Sequence, residues 1–567
     1  MNPSDFPVVG AVALSRDDPY ARRDQMFPKL SPDQIERLRS CGHERSAAAG
    51  ELLFDQGQSD IPLFVVLSGS VEIVHPSRGA DEPITVHEPG EFTGEVVLLS
   101  GRRSLVRGRA RTASRLLVIE QSRLRSLVQT DAELSELFLR AFILRRMGLV
   151  AHGQGDVVLV GSRHSSGTLR LQEFLTRSTH PFTYVDVETD ASVQGLLDTF
   201  HVAVDDVPVV ICRGERVLKN PTNSELADCL GFNPTLDSSA LRDLVVVGAG
   251  PGGLAAAVYA ASEGLDVLVL ESETPGGQAG SSSKIENYLG FPTGISGGAL
   301  AGRALTQAEK FGAEVVVAKA AVGFLCERRP YSIDLGGGVT VRARTVIIAT
   351  GAAYRKPEIA GLARFEGAGV YYGATHVEAQ RCKGDEIAIV GGGNSAGQAA
   401  VYLSRVVRHV HMLIRGEGLV DSMSRYLIRR IEETPNITLR TRTRLESIEG
   451  GDHLESVVWT DDRSGETTRH DVRHVFLMTG AKPNSDWLSG CVVLDDKGFV
   501  KTGMDLSAVD LVARKWPMKR TPYLLETSLP GVFAVGDIRA ANVKRVASAV
   551  GEGSICIQLV HRALSDA

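Results

Sequence analysis

Apolar positions along this chain change period several times, and each change marks a new unit. Leu244 to Val247 are four apolar residues in a row, the signature of a strand buried on both faces. A glycine turn follows, then the helix-like LAAAVYAASEG, then DVLVLE as a second strand that ends in Glu271. Strand, helix and strand in that order predict a parallel sheet. The order returns at Glu386 to Ala400, EIAIVGGGNSAGQAA. The runs VIIAT, leading to Gly351, and VFLMTGAKPN add two related strands.

The front of the chain has other periods. SPDQIERLRS predicts a helix with Ser31 as its N-cap. ELLFDQGQ, IPLFVVLSGSVEIV and PITVHEPGEF read as strands divided by turn glycines Gly57, Gly69 and Gly90, which predicts a small antiparallel β-roll. TDAELSELFLRAFILRR has helical spacing and closes that unit. DVVLVG, LRLQEFLTR and FTYVDVE then form a second strand–helix–strand unit, and VPVVICRGERVL a hairpin. The expected organisation is an arm at 1–30, a β-roll at 31–150, a small α/β unit at 155–235 and a long α/β region from 241. GFNPTLDSSALRD is a short Pro/Ser-containing linker that would permit limited motion.

Totals narrow the function classes. A length of 567 residues suggests three or four domains at ~150 residues each. With 43% hydrophobic and 23% charged residues the composition is that of an ordinary globular protein. A net charge of -6 argues against a nucleic-acid partner. The N-terminus lacks a basic leader and its apolar run is too short for a membrane helix, so no membrane partner and a cytoplasmic location are expected. Seven cysteines (41, 212, 229, 326, 382, 491, 556) are scattered, and no two form C-x-x-C. That fits a reducing compartment, with no metal-ligand or redox-pair spacing.

Candidate chemistry sits in the glycine turns. Gly248, Gly250 and Gly253 have G-x-G-x-x-G spacing between a strand and a helix. The first allows the tight turn, the second lets backbone approach a pyrophosphate, and the third lets helix pack on strand. Glu271 ends the next strand, where an acid takes ribose hydroxyls. In the second unit Gly391, Gly393 and Ala396 form the turn, with Asn394 and Ser395 between them. The strand after it ends in Ile414 and Arg415, with no acid. An arginine there welcomes a 2′-phosphate and favours NADPH over NADH, with Arg425 of DSMSRYL as a second basic group. The plain alternative makes Arg415 a solvated loop charge.

From Leu241 onward the two glycine units, GGQAG, IENYLGFP and the late GVFAVGDIR closely resemble the low-molecular-weight thioredoxin reductase family, within the pyridine nucleotide-disulfide oxidoreductases, over about 325 residues. The resemblance implies an α/β fold with an FAD-binding Rossmann-like domain at 241–357 and 481–567, and an NAD(P)-binding one inserted at 358–480. Carried over, the FAD contacts are Gly248, Gly250, Gly253, Glu271, Gly277, Gln278, Asn287, Gly351, Gly536 and Asp537, with Asp537 near the ribityl chain or pyrophosphate. Arg545 stands at the sequence position where the family usually has the Gln of its R-Q pair, the implied flavin-edge contact. Gly391, Gly393, Asn394, Ser395, Arg415 and Arg425 would hold NADPH. Of the family's H-R-R-x-x-x-R only Arg415 aligns; Gly416 and Val420 replace the later arginines.

That family carries C-A-T-C just before the second glycine unit. Here GVYYGATHVE puts Gly373 and His376 at the two cysteine positions. Reduction of flavin by NADPH needs neither cysteine, whereas passage to a disulfide needs both. His376 is a candidate proton donor to reduced flavin or to a quinone-like acceptor; the alternative is a polar gap-filler.

LFDQG, VLSGSVEIV and GEVVLLSGRRSLVRGRART resemble a cyclic-nucleotide-binding domain over about 120 residues. The resemblance implies Glu95, after Gly94, on the ribose hydroxyl and Arg103-Ser104 on the phosphate. A docking or dimer module that has lost its ligand is the alternative. No helix-turn-helix follows. The unit at 155–235 resembles the thioredoxin/glutaredoxin fold, which implies a cis bond before Pro208. The place of its C-x-x-C reads GSRHSS, Gly161 to Ser166, so it is expected to dock, not to exchange disulfides, with His164 a loop residue.

Together these resemblances imply an FAD-dependent NAD(P)H oxidoreductase. Its electron acceptor, a small molecule or a redox protein, is not reduced through an internal dithiol. A cyclic nucleotide is a candidate effector and a homodimer the expected assembly. A regulatory flavoprotein with little turnover, and a ferredoxin or flavodoxin reductase, stay open beside it. The extra stretch AVDLVARKWPMKRTPY would cover the flavin or serve a subunit contact.

Overall fold

The computed structural model describes residues 22–59, 61–76, 81–94, 103–151, 157–163, 165–188, 206–212, 216–282, 284–451, 453–488 and 490–566, leaving aside the side chains of 146, 147, 150, 151, 376 and 377. Ser31 caps the helix Pro32–Arg39 with a capping box, its hydroxyl accepting from the Gln34 N–H at 3.2 Å. Two four-stranded antiparallel sheets then form a β-roll. One holds His43–Ala47, Ser114–Ile119, Leu63–Ser68 and Phe92–Thr93, and the other Leu52–Phe54, Arg107–Ala110, Val71–His75 and Glu82–His87. The helices Gln121–Thr130 and Ala132–Ala151 close it.

A four-stranded sheet follows, in the order Thr183–Asp186, Val157–Gly161, Val209–Cys212, Arg216–Lys219. The first pair is parallel and joined through helix Ser166–Arg177, while the other pairs are antiparallel. The Val207–Pro208 peptide is cis, as expected. This unit is not loosely tethered. Phe232, at the start of the linker, shares an apolar cluster with Val317 and Ala318 of the next unit. Asn233 bonds Val317 both ways, accepting from its N–H at 2.8 Å and donating to its carbonyl at 3.0 Å.

The first large sheet is built on Leu241–Val247, parallel to Val267–Leu270 on one side and to Thr340–Ile348 on the other. Alternate residues of this strand are buried in two different clusters, so both of its faces are covered. Helix Pro251–Ser262 returns over one face and packs against helix Val546–Ser565 through small residues. A Cβ added at Gly553 would stand 2.3 Å from the Gly252 carbonyl, so the two backbones touch. The second large sheet is five-stranded and parallel: Val370–Tyr371, His474–Leu477, Glu386–Val390, His409–Leu413, Ile437–Arg440. The short strands Ala352–Tyr354 and Ala481–Pro483 pair antiparallel and carry the chain between the two sheets.

One expectation about the cysteines is corrected. Cys326 and Cys491, 165 residues apart, form a disulfide in the first large unit. Linear spacing cannot show a pair that only the tertiary fold brings together. Among the described residues no helix is long and apolar enough to cross a membrane.

Candidate functional site

The first glycine turn has the shape its sequence requires. Gly248 has φ +109, and a Cβ there would meet the Ala349 carbonyl at 2.3 Å. A Cβ at Gly253 would lie 1.8 Å from the Gly248 carbonyl oxygen, so the helix start rests directly on the strand end. Gly250 differs: a Cβ there meets nothing nearer than the Gly277 Cα at 4.0 Å. Its open side lies at the N-terminus of helix Pro251–Ser262, where free N–H groups favour an anion. This cradle fits a pyrophosphate.

Glu271 is buried at the end of the neighbouring strand. Its carboxylate accepts from the Ala249 N–H at 2.7 Å and the Glu273 N–H at 2.9 Å. Burial nevertheless pushes its pKa up from the ordinary carboxylate range. Gly277 sits against Gly250, and Gln278 donates its amide to the Ala352 carbonyl at the inter-sheet connection. Gly351, at φ +64, has open space where a Cβ would stand. Asn287 is exposed in the loop after these turns.

At the far end of the chain Gly536–Ile538 forms a short turn beside the same helix pair. Asp537 is half-buried; Lys544 donates to its backbone carbonyl at 3.3 Å, while its carboxylate accepts no hydrogen bond among the described residues and has its pKa raised by burial. A half-buried carboxylate with no donor among the described residues fits a hydroxyl-rich ligand. Glu552, which sequence reasoning missed, holds this turn. It accepts from the Gly536 N–H at 2.7 Å, from Asn542 at 2.7 Å and from Arg539 at 2.8 Å. Arg545 is exposed as the N-cap residue of helix Val546–Ser565.

The second turn repeats the design. Gly391 has φ +143, and a Cβ there would meet the Met478 carbonyl at 2.4 Å, whereas Gly393 faces open space. Asn394 begins helix Asn394–Leu403 and accepts from the Ser424 N–H at 2.8 Å, while Ser422 donates to the Gly392 carbonyl at 2.7 Å. The 419–424 loop is thereby tied to the turn. Ser395, Arg415 and Arg425 are exposed near it, and neither arginine has a partner among the described residues. Tyr354, also missed from sequence, lies between the two sites: burial raises its pKa, Ser395 touches its hydroxyl, and Asp537 is within electrostatic reach.

Gly373 faces the first unit, where a Cβ on it would stand 3.9 Å from Ser281. His376 opens helix His376–Arg381, and its side chain lies outside the described residues. Thr375 caps that helix through Glu378. Cys382 is fully buried and burial pushes its thiol up to about 12, so it offers no thiolate. Arg430 pairs with Glu286 across the two units, a contact with no signal in linear spacing.

In the β-roll, Gly94 has φ +122 and Glu95 lies outside the described residues. Ser104 is buried and donates its hydroxyl to the Val106 carbonyl at 2.8 Å. Arg103 is exposed and its side chain lies on Gly231, the left-handed cap of helix Asn223–Leu230. The later arginines are occupied, Arg107 by Asp55 and Asp81, Arg109 by Glu72 and Asp81. Ser165 caps helix Ser166–Arg177, Ser162 donates to Glu188, and His164 lies outside the described residues.

A family model described as pyridine nucleotide-disulphide oxidoreductase matches residues 242–553, and one described as cyclic nucleotide-binding domain matches 44–131. The chain is 33% identical to a thioredoxin reductase of Mycolicibacterium smegmatis over 321 residues, 56% of this chain and 94% of that protein. It is 31% identical to a thioredoxin reductase of Bacillus subtilis over 320 residues, again 56% and 94%. The crystal structure of Lactococcus lactis thioredoxin reductase superposes with TM-score 0.51 at 28% identity, covering 57% of this chain and 100% of that one.

Proposed function

The chain belongs to the pyridine nucleotide-disulphide oxidoreductase family, and from that membership we propose a thioredoxin reductase-like, FAD- and NADPH-dependent oxidoreductase whose acceptor is not reduced through an internal dithiol. The observation that carries the acceptor reading is the pair Gly373 and His376, which stand where the family carries its two cysteines. FAD, when bound, supplies the redox chemistry that links NADPH to an acceptor.

This chain's own residues would do the rest. Gly250, Gly277 and the N-terminus of helix Pro251–Ser262 cradle the diphosphate of FAD, Glu271 takes ribose hydroxyls, and Asp537 takes a further hydroxyl. Gly391, Gly393 and Ser395 receive the NADPH pyrophosphate, with Arg415 and Arg425 facing its 2′-phosphate. His376 is kept as the proton donor, and a His376→Ala variant with unchanged turnover would remove that role. Met504, Val509 and Val512 are 92%, 78% and 79% exposed, and they support the expected homodimer, which sedimentation would test.

The test is anaerobic mixing of the yellow protein with NADPH, followed by oxygen, a quinone, ferredoxin or an oxidised dithiol protein. Bleaching by NADPH, then reoxidation by an acceptor other than the dithiol protein, is the expected result. Turnover with the dithiol protein alone, or no bleaching, overturns the reading.

A regulatory reading is favoured by one contact. Because Arg103 lies on Gly231, a phosphate in the β-roll would have to draw Arg103 off the small α/β unit. A bleaching rate that changes with cyclic AMP would support it; an unchanged rate counts against it.

A further inference from the structure

Helix Ser166–Arg177 lies across the seam between the two large units. Near its start, Leu169 is buried in the apolar cluster of the second unit with Tyr371, Ala374 and Cys382. At its last residue, Arg177 reaches the first unit. Arg177 Nη2 donates to the Gly277 carbonyl at 3.1 Å. Gly277 in turn abuts the glycine turn, since a Cβ on it would stand 3.2 Å from the Gly250 Cα. The guanidinium therefore stands at the edge of the anion cradle, on the carbonyl of Gly277. Its charge also reaches Glu271, whose charged form it favours.

Arg177 forms no close ion pair, although Glu173 and Glu271 lie within its electrostatic reach. Among the described residues no carboxylate lies within ion-pair distance of it, and its Nε is buried without a hydrogen-bond partner. A partly buried guanidinium whose buried N–H lacks an acceptor is costly. Its flat fork suits a phosphate, which it can bind through two N–H groups.

We propose that Arg177, carried by the small α/β unit, is a ligand of the FAD diphosphate, so that flavin affinity depends on the docking of a unit outside the two large sheets. The inference rests on the FAD reading above. It also assigns the small α/β unit, which has no thiol pair in its usual place, a contribution to the cofactor site.

The experiment uses the full chain stripped of flavin, titrated with FAD, ADP and adenosine, for the wild type and for Arg177→Ala, Arg177→Gln and Arg177→Lys. The expected result is an FAD Kd raised about tenfold or more in the first two variants and less in Arg177→Lys. ADP affinity should fall in parallel and adenosine affinity should not. The salt dependence of FAD binding should also become shallower in Arg177→Ala. Wild-type FAD affinity in all three variants overturns the inference. So does an equal loss for adenosine and ADP, which would mark Arg177 as a structural contact only. If Arg177→Ala does not fold, Arg177→Lys and Arg177→Gln carry the comparison. A wild type that takes up no FAD overturns the function proposed above as well, which separates the two failures.

Discussion

Glu173 of helix Ser166–Arg177 faces Glu378 of helix His376–Arg381 across the seam between the small α/β unit and the second large sheet. Burial, then the neighbouring Glu378 carboxylate, pushes the Glu173 pKa up to about 8. A proton shared there lets two acids pack where two charges would repel.

The sign of the pH effect follows. The folded state holds this proton above the ordinary Glu range while the unfolded chain has released it. The contact is therefore fully stable below the ordinary Glu pKa and loses stability as pH rises through about 8. Hydrogen exchange of helix His376–Arg381 should speed up at least ~10-fold between about pH 6 and about pH 9.5, beyond the intrinsic change in exchange rate. Glu173→Gln should remove that excess. An excess that survives in Glu173→Gln would refute the assignment.

Two neighbouring glycines should fail in different ways. In Gly253→Ala the new methyl would stand 1.8 Å from the Gly248 carbonyl, so helix and strand must separate, at a cost of about 3 kcal/mol or more. In Gly250→Ala the methyl meets no protein atom closer than 4.0 Å, so the fold should survive. It would instead occupy the cradle, and FAD affinity should fall at least ~10-fold. Thermal unfolding separates the first variant from wild type, and flavin titration separates the second.

These glycines were legible because strand, turn and helix lie within a dozen residues, and local sterics dictate which residue each position accepts. The Ser31 cap and the antiparallel roll were legible for the same reason. Glu552, Tyr354 and Arg177 were not. Each acts on a group brought near only by tertiary packing, and no period or spacing marks them. Cys326 and Cys491 show the limit most plainly, since the 165 residues between them hide the pair from any linear reading. Resemblance alone gave Arg103 its role as a phosphate ligand, and no linear pattern shows that its side chain lies on Gly231 of the next unit.

His87 gives the β-roll an acid-side weakness. It is fully buried, with Nδ1 3.4 Å from Glu91 Oε2, and burial lowers its pKa to about 4. Here the unfolded chain takes up the proton first. Stability is fully present above the ordinary His pKa and is lost as pH falls toward about 4, by on the order of 3 kcal/mol. Denaturation of the β-roll, followed by exchange of strand Leu63–Ser68, should show this slope between about pH 6.5 and about pH 4. His87→Gln should flatten it. An unchanged slope in that variant would mean that other groups carry the acid sensitivity.

Coenzyme preference should reside in Arg415. The strand His409–Leu413 delivers Ile414 into the core and Arg415 to the surface, beside a glycine turn already braced by Asn394 and Ser422. With the turn held rigid and Arg415 free of protein partners, its charge is available to a 2′-phosphate. Such a contact is the same in the ground state and the transition state, so its loss should appear in KM and leave kcat unchanged. Arg415→Ala should raise KM for NADPH about tenfold and leave NADH unaffected. Arg415→Glu should go further and favour NADH, because a carboxylate repels the phosphate and can bond the free ribose hydroxyls. Arg425→Ala should act in the same direction and more weakly, since Arg425 opens helix Arg425–Glu433, beyond the turn. Equal KM changes for NADPH and NADH in Arg415→Ala would mean that Arg415 shapes the loop instead of reading the phosphate.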